Sequence, residues 1–347
     1  MLVDSPPEQR AETAPAPPTR QAARTLGLLL SVVILVLVAL ASIAIGAKAL
    51  PPDQVWHGLF HDTGTYGDVV VDERLARTVL GLLAGAALGL SGAVLQALTR
   101  NPLADPGLLG INAGASAAVV TAITYFGVTS LTGYVWFAFL GAAAVGALVW
   151  FLGGSRGATP VRLALAGTAV SAALYGYLQA VMIMDDAALG KMRFWTVGSL
   201  ASATNSTILQ VLPFLTVGTV LALGLARPLN AVAMGDDTAR ALGAGLGRTR
   251  ALAMLAATVL CGAATAACGP IVFVGLMVPH VVRSFTGPDL RWILPYAAVL
   301  SPVLLLGADV VGRVVARPSE LQVGIITAII GGPVFIFLVR RRRTAQL

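Results

Sequence analysis

The chain has 347 residues, 57% of them hydrophobic and only 11% charged, with a formal net charge of +7 and a mean hydropathy of +0.84. A soluble domain carries about 25% charged residues, so the composition excludes a soluble globular fold. Apolar runs long enough to cross about 30 Å of hydrocarbon recur from end to end, which predicts one all-α polytopic membrane domain; its positive charge is scattered over the connections and excludes a nucleic-acid footprint.

Residues 1–24 are rich in Pro, Ala and Thr and read as a disordered cytoplasmic tail. Arg20, Arg24 and the run from Leu26 to Ile45 look at first like a signal peptide. The run is too long for that, and Ala47-Lys48-Ala49 is a poor cleavage match, so the segment reads as an uncleaved first span. Hydropathy predicts spans over 26–47, 76–98, 108–128, 134–153, 160–184, 205–226, 250–268, 270–284, 291–312 and 321–339. About ten spans then form a single transmembrane domain over 25–343, followed by a short tail at 344–347. With both termini inside, the internal connections hold 16 basic residues and the external ones 7. The positive-inside rule favours this orientation, and the cluster Arg340 to Arg343 holds the C-terminus in the cytoplasm.

The second span carries the most information. Arg74-Leu-Ala-Arg77 stands at its outer start, Gly81, Gly85, Gly89 and Gly92 recur at helical spacing, and Asn101-Pro-Leu-Ala-Asp-Pro-Gly-Leu-Leu-Gly110 breaks the chain at its inner end. The glycines allow close helix packing. Pro102 disfavours helix at Asn101, and a broken backbone at membrane depth needs protein or a cavity around it. The same pattern of a span running into a break returns at Gly269-Pro270.

The longest internal connection, 227–249, holds Asp236 and Asp237 as N-cap candidates for a short helix through Leu242, ended by Gly243. It reads either as an amphipathic surface helix or as a docking element for a cytoplasmic partner. Cys261 and Cys268 share one apolar run and read as inert small side chains. His280 stands alone, and one histidine makes no metal site. Neither Lys48 nor Lys191 lies in a phosphate-binding Gly-rich loop, so ATP would have to be hydrolysed elsewhere. Ionisable groups are sparse in the spans, with Asp309 near an outer end. That argues against an ion-coupled secondary transporter, and the lack of clustered His, Asp or Glu argues against a membrane enzyme.

An ordered set of motifs resembles the FecCD-type permeases, the membrane subunits of ABC importers for iron–siderophore complexes, haem and cobalamin. These are Arg74-Leu-Ala-Arg-Thr78, Gly92-Ala-Val-Leu-Gln96, the segment 101–110, Leu165-Ala-Gly167, Trp195-Thr-Val-Gly-Ser199, Met234-Gly-Asp-Asp-Thr-Ala-Arg-Ala-Leu-Gly243, Gly269-Pro-Ile-Val-Phe-Val-Gly-Leu-Met-Val-Pro-His280, Ala308-Asp-Val-Val-Gly-Arg313 and Gly331-Gly-Pro-Val-Phe335. The resemblance implies the type II importer permease fold, with an inverted repeat of spans 2–5 on 7–10, in the bacterial cytoplasmic membrane. It implies a second permease, the same or paralogous, two ATP-binding subunits that use the ATP, and an extracytoplasmic substrate-binding protein, with no cofactor or metal bound by this chain.

By the same resemblance, Arg74, Arg77 and Arg313 match binding-protein docking residues. Ala76 replaces the proline common in that motif. Gly235, Asp236, Asp237, Ala239, Arg240, Leu242 and Gly243 match a helix that couples to the ATPase. Asn101, Pro102 and Leu103 match a cytoplasmic gate, whose second segment falls near Thr159-Pro160-Val161 without the family's hydroxyl pair. Ferric siderophores are the commonest substrates of the family; cobalamin and haem are the alternatives.

Overall fold

A computed structural model describes residues 20–60, 64–128, 130–154, 160–241 and 245–344. It is all-helical among the described residues. In chain order the helices are α1 (Arg20–Ala44), α2 (Pro52–Phe60), α3 (Tyr66–Thr99), α4 (Ile111–Phe126), α5 (Leu131–Gly154), α6 (Pro160–Met184), α7 (Asp186–Trp195), α8 (Asn205–Gly224), α9 (Ala226–Ala233), α10 (Asp236–Ala241), α11 (Leu246–Cys268), α12 (Val274–Thr286), α13 (Leu290–Val315) and α14 (Val323–Thr344). Seven of them, α1, α3, α5, α6, α8, α11 and α13, are long and apolar enough to cross a membrane; α4 and α14 are shorter apolar helices. At 13 residues, α12 is the shortest element on a predicted span.

Helices α3 and α11 form the centre, each 78% buried over its most apolar stretch, whereas α1 and α6 are peripheral, at 11% and 17%. The packing is reciprocal. Helix α3 meets α12 and α13, and α11 meets α4 and α5. Small residues make the approach close. A Cβ on Gly85 would stand 2.6 Å from the Pro302 backbone on α13, and one on Gly92 would overlap the Gly275 carbonyl on α12. Across that second contact the buried Gln96 amide donates to the Leu276 carbonyl at 3.0 Å.

Two expectations need correction. The second span begins ten residues earlier than hydropathy places it, at Tyr66. Thr65 accepts from the Asp68 amide and Asp68 accepts from the Thr65 amide, a capping box that starts the helix before its apolar stretch. Arg74 and Arg77 therefore lie more than two turns inside α3, not at its start. In the long connection, α10 begins at Asp236 itself, so both aspartates sit in its first turn rather than ahead of it, and Gly235 precedes them at φ +111°. Leu242, Gly243 and Thr159 lie outside the described residues.

Candidate functional site: ion clusters and a broken segment along α3

Near the Tyr66 end of α3, four arginines gather around the last turn of α1. The final carbonyls of a helix have no partners within it and carry partial negative charge. Arg74 Nη1 donates to the carbonyls of Ile43 (3.1 Å) and Ala44 (3.0 Å), and its Nη2 to that of Lys48. Arg313 donates to the carbonyl and the hydroxyl of Ser42, both at 2.9 Å, and Arg317 to the Gly46 carbonyl at 2.7 Å. Beneath them Asp309, fully buried, takes a forked contact from Arg77 (Nη2 at 2.7 Å, Nε at 3.0 Å) and forms an ion pair with Arg313, whose Nε lies 3.1 Å away without the alignment of a hydrogen bond. The remaining nitrogen of Arg77 donates to Glu320 at 2.6 Å, and Glu320, on the α13–α14 connection, is the exposed carboxylate of the cluster.

Sequence reasoning expects Arg74, Arg77 and Arg313 as charges presented on the surface. The structure gathers all three, but at 6%, 8% and 1% exposure they are buried and held within the chain. They bolt α1 onto α3 and α13. The exposed cations at this end include Arg317, Lys48, stacked over Tyr66, and Arg193, stacked over Phe194 on α7.

At the Thr99 end the chain breaks. Arg100 caps α3 in the left-handed region at φ +51°, with its amide donating to the Ala97 carbonyl. Asn101 Oδ1 then accepts from the Leu103 amide at 3.0 Å, an Asx turn that Pro102 accommodates because it has no N–H to place. Asp105 accepts from the Gly107 amide at 2.8 Å and starts the single 3-10 turn Pro106–Leu109, which leads into α4. Burial pushes the Asp105 carboxyl up to about 6, against the opposing pull of the Gly107 amide. Asn101, Asp105, Thr99, Leu165 and Thr168 line a cavity of about 340 Å³ between this segment and α6.

The knob formed by α9 and α10 abuts the break. Asn230 on α9 donates to Asp289 at 2.7 Å and accepts from the Leu290 amide, which ties the knob to the start of α13. The contacts of Asp289 with Arg291 and Asn230 hold its carboxyl down at about 2. On α10, Asp236 accepts from Arg250 of α11 on both carboxylate oxygens at 2.8 Å, and Arg100 donates to one of the same oxygens. These bonds, Arg250 first, lower the Asp236 pKa. Ala239 is buried against the bundle, whereas Asp237 and Arg240 pair with each other on the exposed face at 2.9 Å. Gln96, Arg100, Arg250 and Glu320 were not singled out from sequence. The one signal in the chain itself is an arginine set directly before Asn-Pro.

The model of the FecCD transport family matches residues 34–341. The ferric enterobactin transport system permease protein FepD of Escherichia coli (strain K12) is 47% identical over 91% of this chain and 94% of its own length. The probable siderophore transport system permease protein YfiZ of Bacillus subtilis (strain 168) is 37% identical over 87% and 91%. A solved inward-facing structure assigned to the metal-chelate type of ABC transporter superposes with a TM-score of 0.81 at 28% identity, over 91% of this chain and 99% of that one. With a family model spanning nearly its whole length, this multi-pass helical membrane protein belongs to the FecCD transport family.

Proposed function

We propose that the chain is the permease subunit of a binding-protein-dependent ABC importer that carries ferric siderophores. The observation that carries the substrate class is the 47% identity to a ferric enterobactin permease across nine-tenths of the chain. Haem and cobalamin remain the alternatives to test against it.

In this reading ten elements cross the membrane: the seven long helices, the two shorter apolar ones, and α12, extended by the segment 269–273 before it. Both termini are cytoplasmic, which the excess of arginine in the connections at that side supports. The Tyr66 end of α3 is then extracytoplasmic, and α9, α10 and the break after Arg100 face the cytoplasm. Helix α10 docks the ATPase through Gly235, Asp236, Asp237, Ala239 and Arg240, with Leu242 and Gly243 completing the motif. Residues 101–103 form the cytoplasmic gate above the cavity at Asp105. A second permease packs beside α6, whose exposed residues include Thr168, Tyr175, Gly176 and Gln179; polar groups on a span are disfavoured against lipid. On the outer face Arg77 is the docking arginine, reached through its exposed partner Glu320, while Arg74 and Arg313 hold α1 in place.

The test is uptake into vesicles that contain the chain with its ATPase and binding protein, across a panel of ferric siderophores, haem and cobalamin. ATP-dependent accumulation of a ferric siderophore is the expected result. Accumulation of haem or cobalamin instead would replace the substrate class, and uptake driven by an ion gradient without the ATPase would overturn the importer reading.

A further inference from the structure

We infer that Arg100 is the contact through which α10 moves the cytoplasmic gate, with Asp236 as its partner; this rests on the coupling and gate assignments proposed above. The geometry is asymmetric. Arg250 engages both carboxylate oxygens of Asp236, at 2.8 Å each, and is itself nearly buried on the central helix α11, so it anchors α10 to the bundle. Arg100 takes a single oxygen of the same carboxylate, and both of those partners are about one-third exposed. Of the two arms, the Arg100 arm is the one that can be made and broken while α10 stays seated.

What Arg100 does next follows from its backbone. It is the last residue before Asn101, one of two non-glycine residues with positive φ among those described, and its φ of +51° closes α3. A non-glycine side chain in the left-handed region is held there by its surroundings. The Arg100–Asp236 pair supplies such a hold, so release of the pair frees the residue whose ψ sets the direction of Asn101, Pro102 and Leu103. The lowered pKa of Asp236 keeps it ionised and ready to pair across the physiological range. A shift of α10 by a closing ATPase is thereby delivered one peptide bond from the gate, with no intervening side chains.

The experiment uses the whole complex in inside-out vesicles, with Leu103→Cys as a reporter for a membrane-impermeant maleimide. Cys261 and Cys268 are buried and serve as a silent background. Labelling is measured without nucleotide and after trapping with ATP and vanadate, and is normalised to the nucleotide trapped. The second variant is Arg100→Gly, which keeps the left-handed cap that glycine favours and removes the guanidinium. The expected result is a nucleotide-dependent change in labelling with Arg100 present and loss of that change in Arg100→Gly. Adding Asp236→Asn should remove no more, which a purely structural role for either residue would not produce. A change that persists in Arg100→Gly overturns the inference while leaving the importer reading standing. No change even with Arg100 present would overturn the gate and coupling assignments, and this inference with them.

Discussion

Helix α3 carries an ion cluster at each end, and the two are built oppositely. Near Tyr66, Asp309 is fully buried between Arg77 and Arg313, and the surrounding arginines are spent on the carbonyls that end α1. Near Thr99, Asp236 sits on a short helix at the surface, about one-third exposed, shared between one nearly buried and one exposed arginine. The first arrangement fixes three helices relative to one another. The second can exchange partners. Buried charge resists change because removing one member strands the rest in a poor solvent, whereas an exposed pair is replaced by water at little cost.

The largest expected effect tests that difference directly. Asp309→Ala leaves Arg77 and Arg313 buried without their carboxylate and should cost on the order of 3–5 kcal/mol, as for breaking one side of a buried pair. Thermal unfolding of the purified chain in detergent reads it. Asp236→Ala should cost less by the same assay, about 1 kcal/mol, because Asp236 and Arg100 are open to water and only Arg250 is left nearly buried. Equal losses from the two would break the comparison.

How much of this was legible in the sequence differs between the ends. The spans were readable because runs such as Leu26 to Ile45 have no other stable home. The beginning of α3 was not: Asp68, Asp72 and Glu73 lower the hydropathy of its first two turns, and its cap uses Asp68 where the usual signature has Glu or Gln. Helices α2, α7 and α9 escaped because each is ten residues or fewer, too short for a span signal. Arginines are read as surface groups by default, so the burial of Arg74 and Arg313 needed the carbonyls of α1, and that of Arg77 the carboxylates of Asp309 and Glu320, which only the fold brings to them. The Arg100–Asp236 pair joins residues 136 apart in the chain, and no local pattern could announce it. Asn101, Pro102 and Leu103 were found as a broken turn from Pro102 alone, and the structure adds the Asx turn that shapes it.

A pH experiment sharpens the picture of the Thr99 end. Burial raises the Asp105 pKa to about 6, above its value of roughly 3.9 in an unfolded chain. The folded state therefore holds this proton more tightly than the unfolded one. Its contribution to stability is present in full below about pH 4 and is lost as pH rises through 6. Asp105→Asn removes the titration while keeping an acceptor for the Gly107 amide. The variant should melt at a higher temperature than the parent at pH 8, and the gap should close toward pH 5. A gap of the same size at both values would show that Asp105 is charged throughout, and the cavity wetter than its walls imply.

The smallest effect belongs to Glu320, and it probes whether the sealed cluster has one opening. Three of the guanidinium contacts at Arg77 and Arg313 end on Asp309, which no partner can reach. Glu320 is different: its side chain is 35% exposed and takes only the Nη1 nitrogen of Arg77. A carboxylate on a docking protein could take that position without disturbing Asp309, so Glu320 competes with it. Glu320→Gln should tighten binding of the substrate-binding protein by up to about fivefold, matching the ~0.2–1 kcal/mol of an exposed ion pair. Affinity measured on the complex in nanodiscs should show the gain at low salt and its decline as salt rises, since screening weakens a charge contact at the surface. Weaker binding in Glu320→Gln would mean that Glu320 orients Arg77 for the partner instead of shielding it. The docking contact would then run through Glu320 and the exposed Arg317, and both clusters on α3 would meet their partners through surface groups.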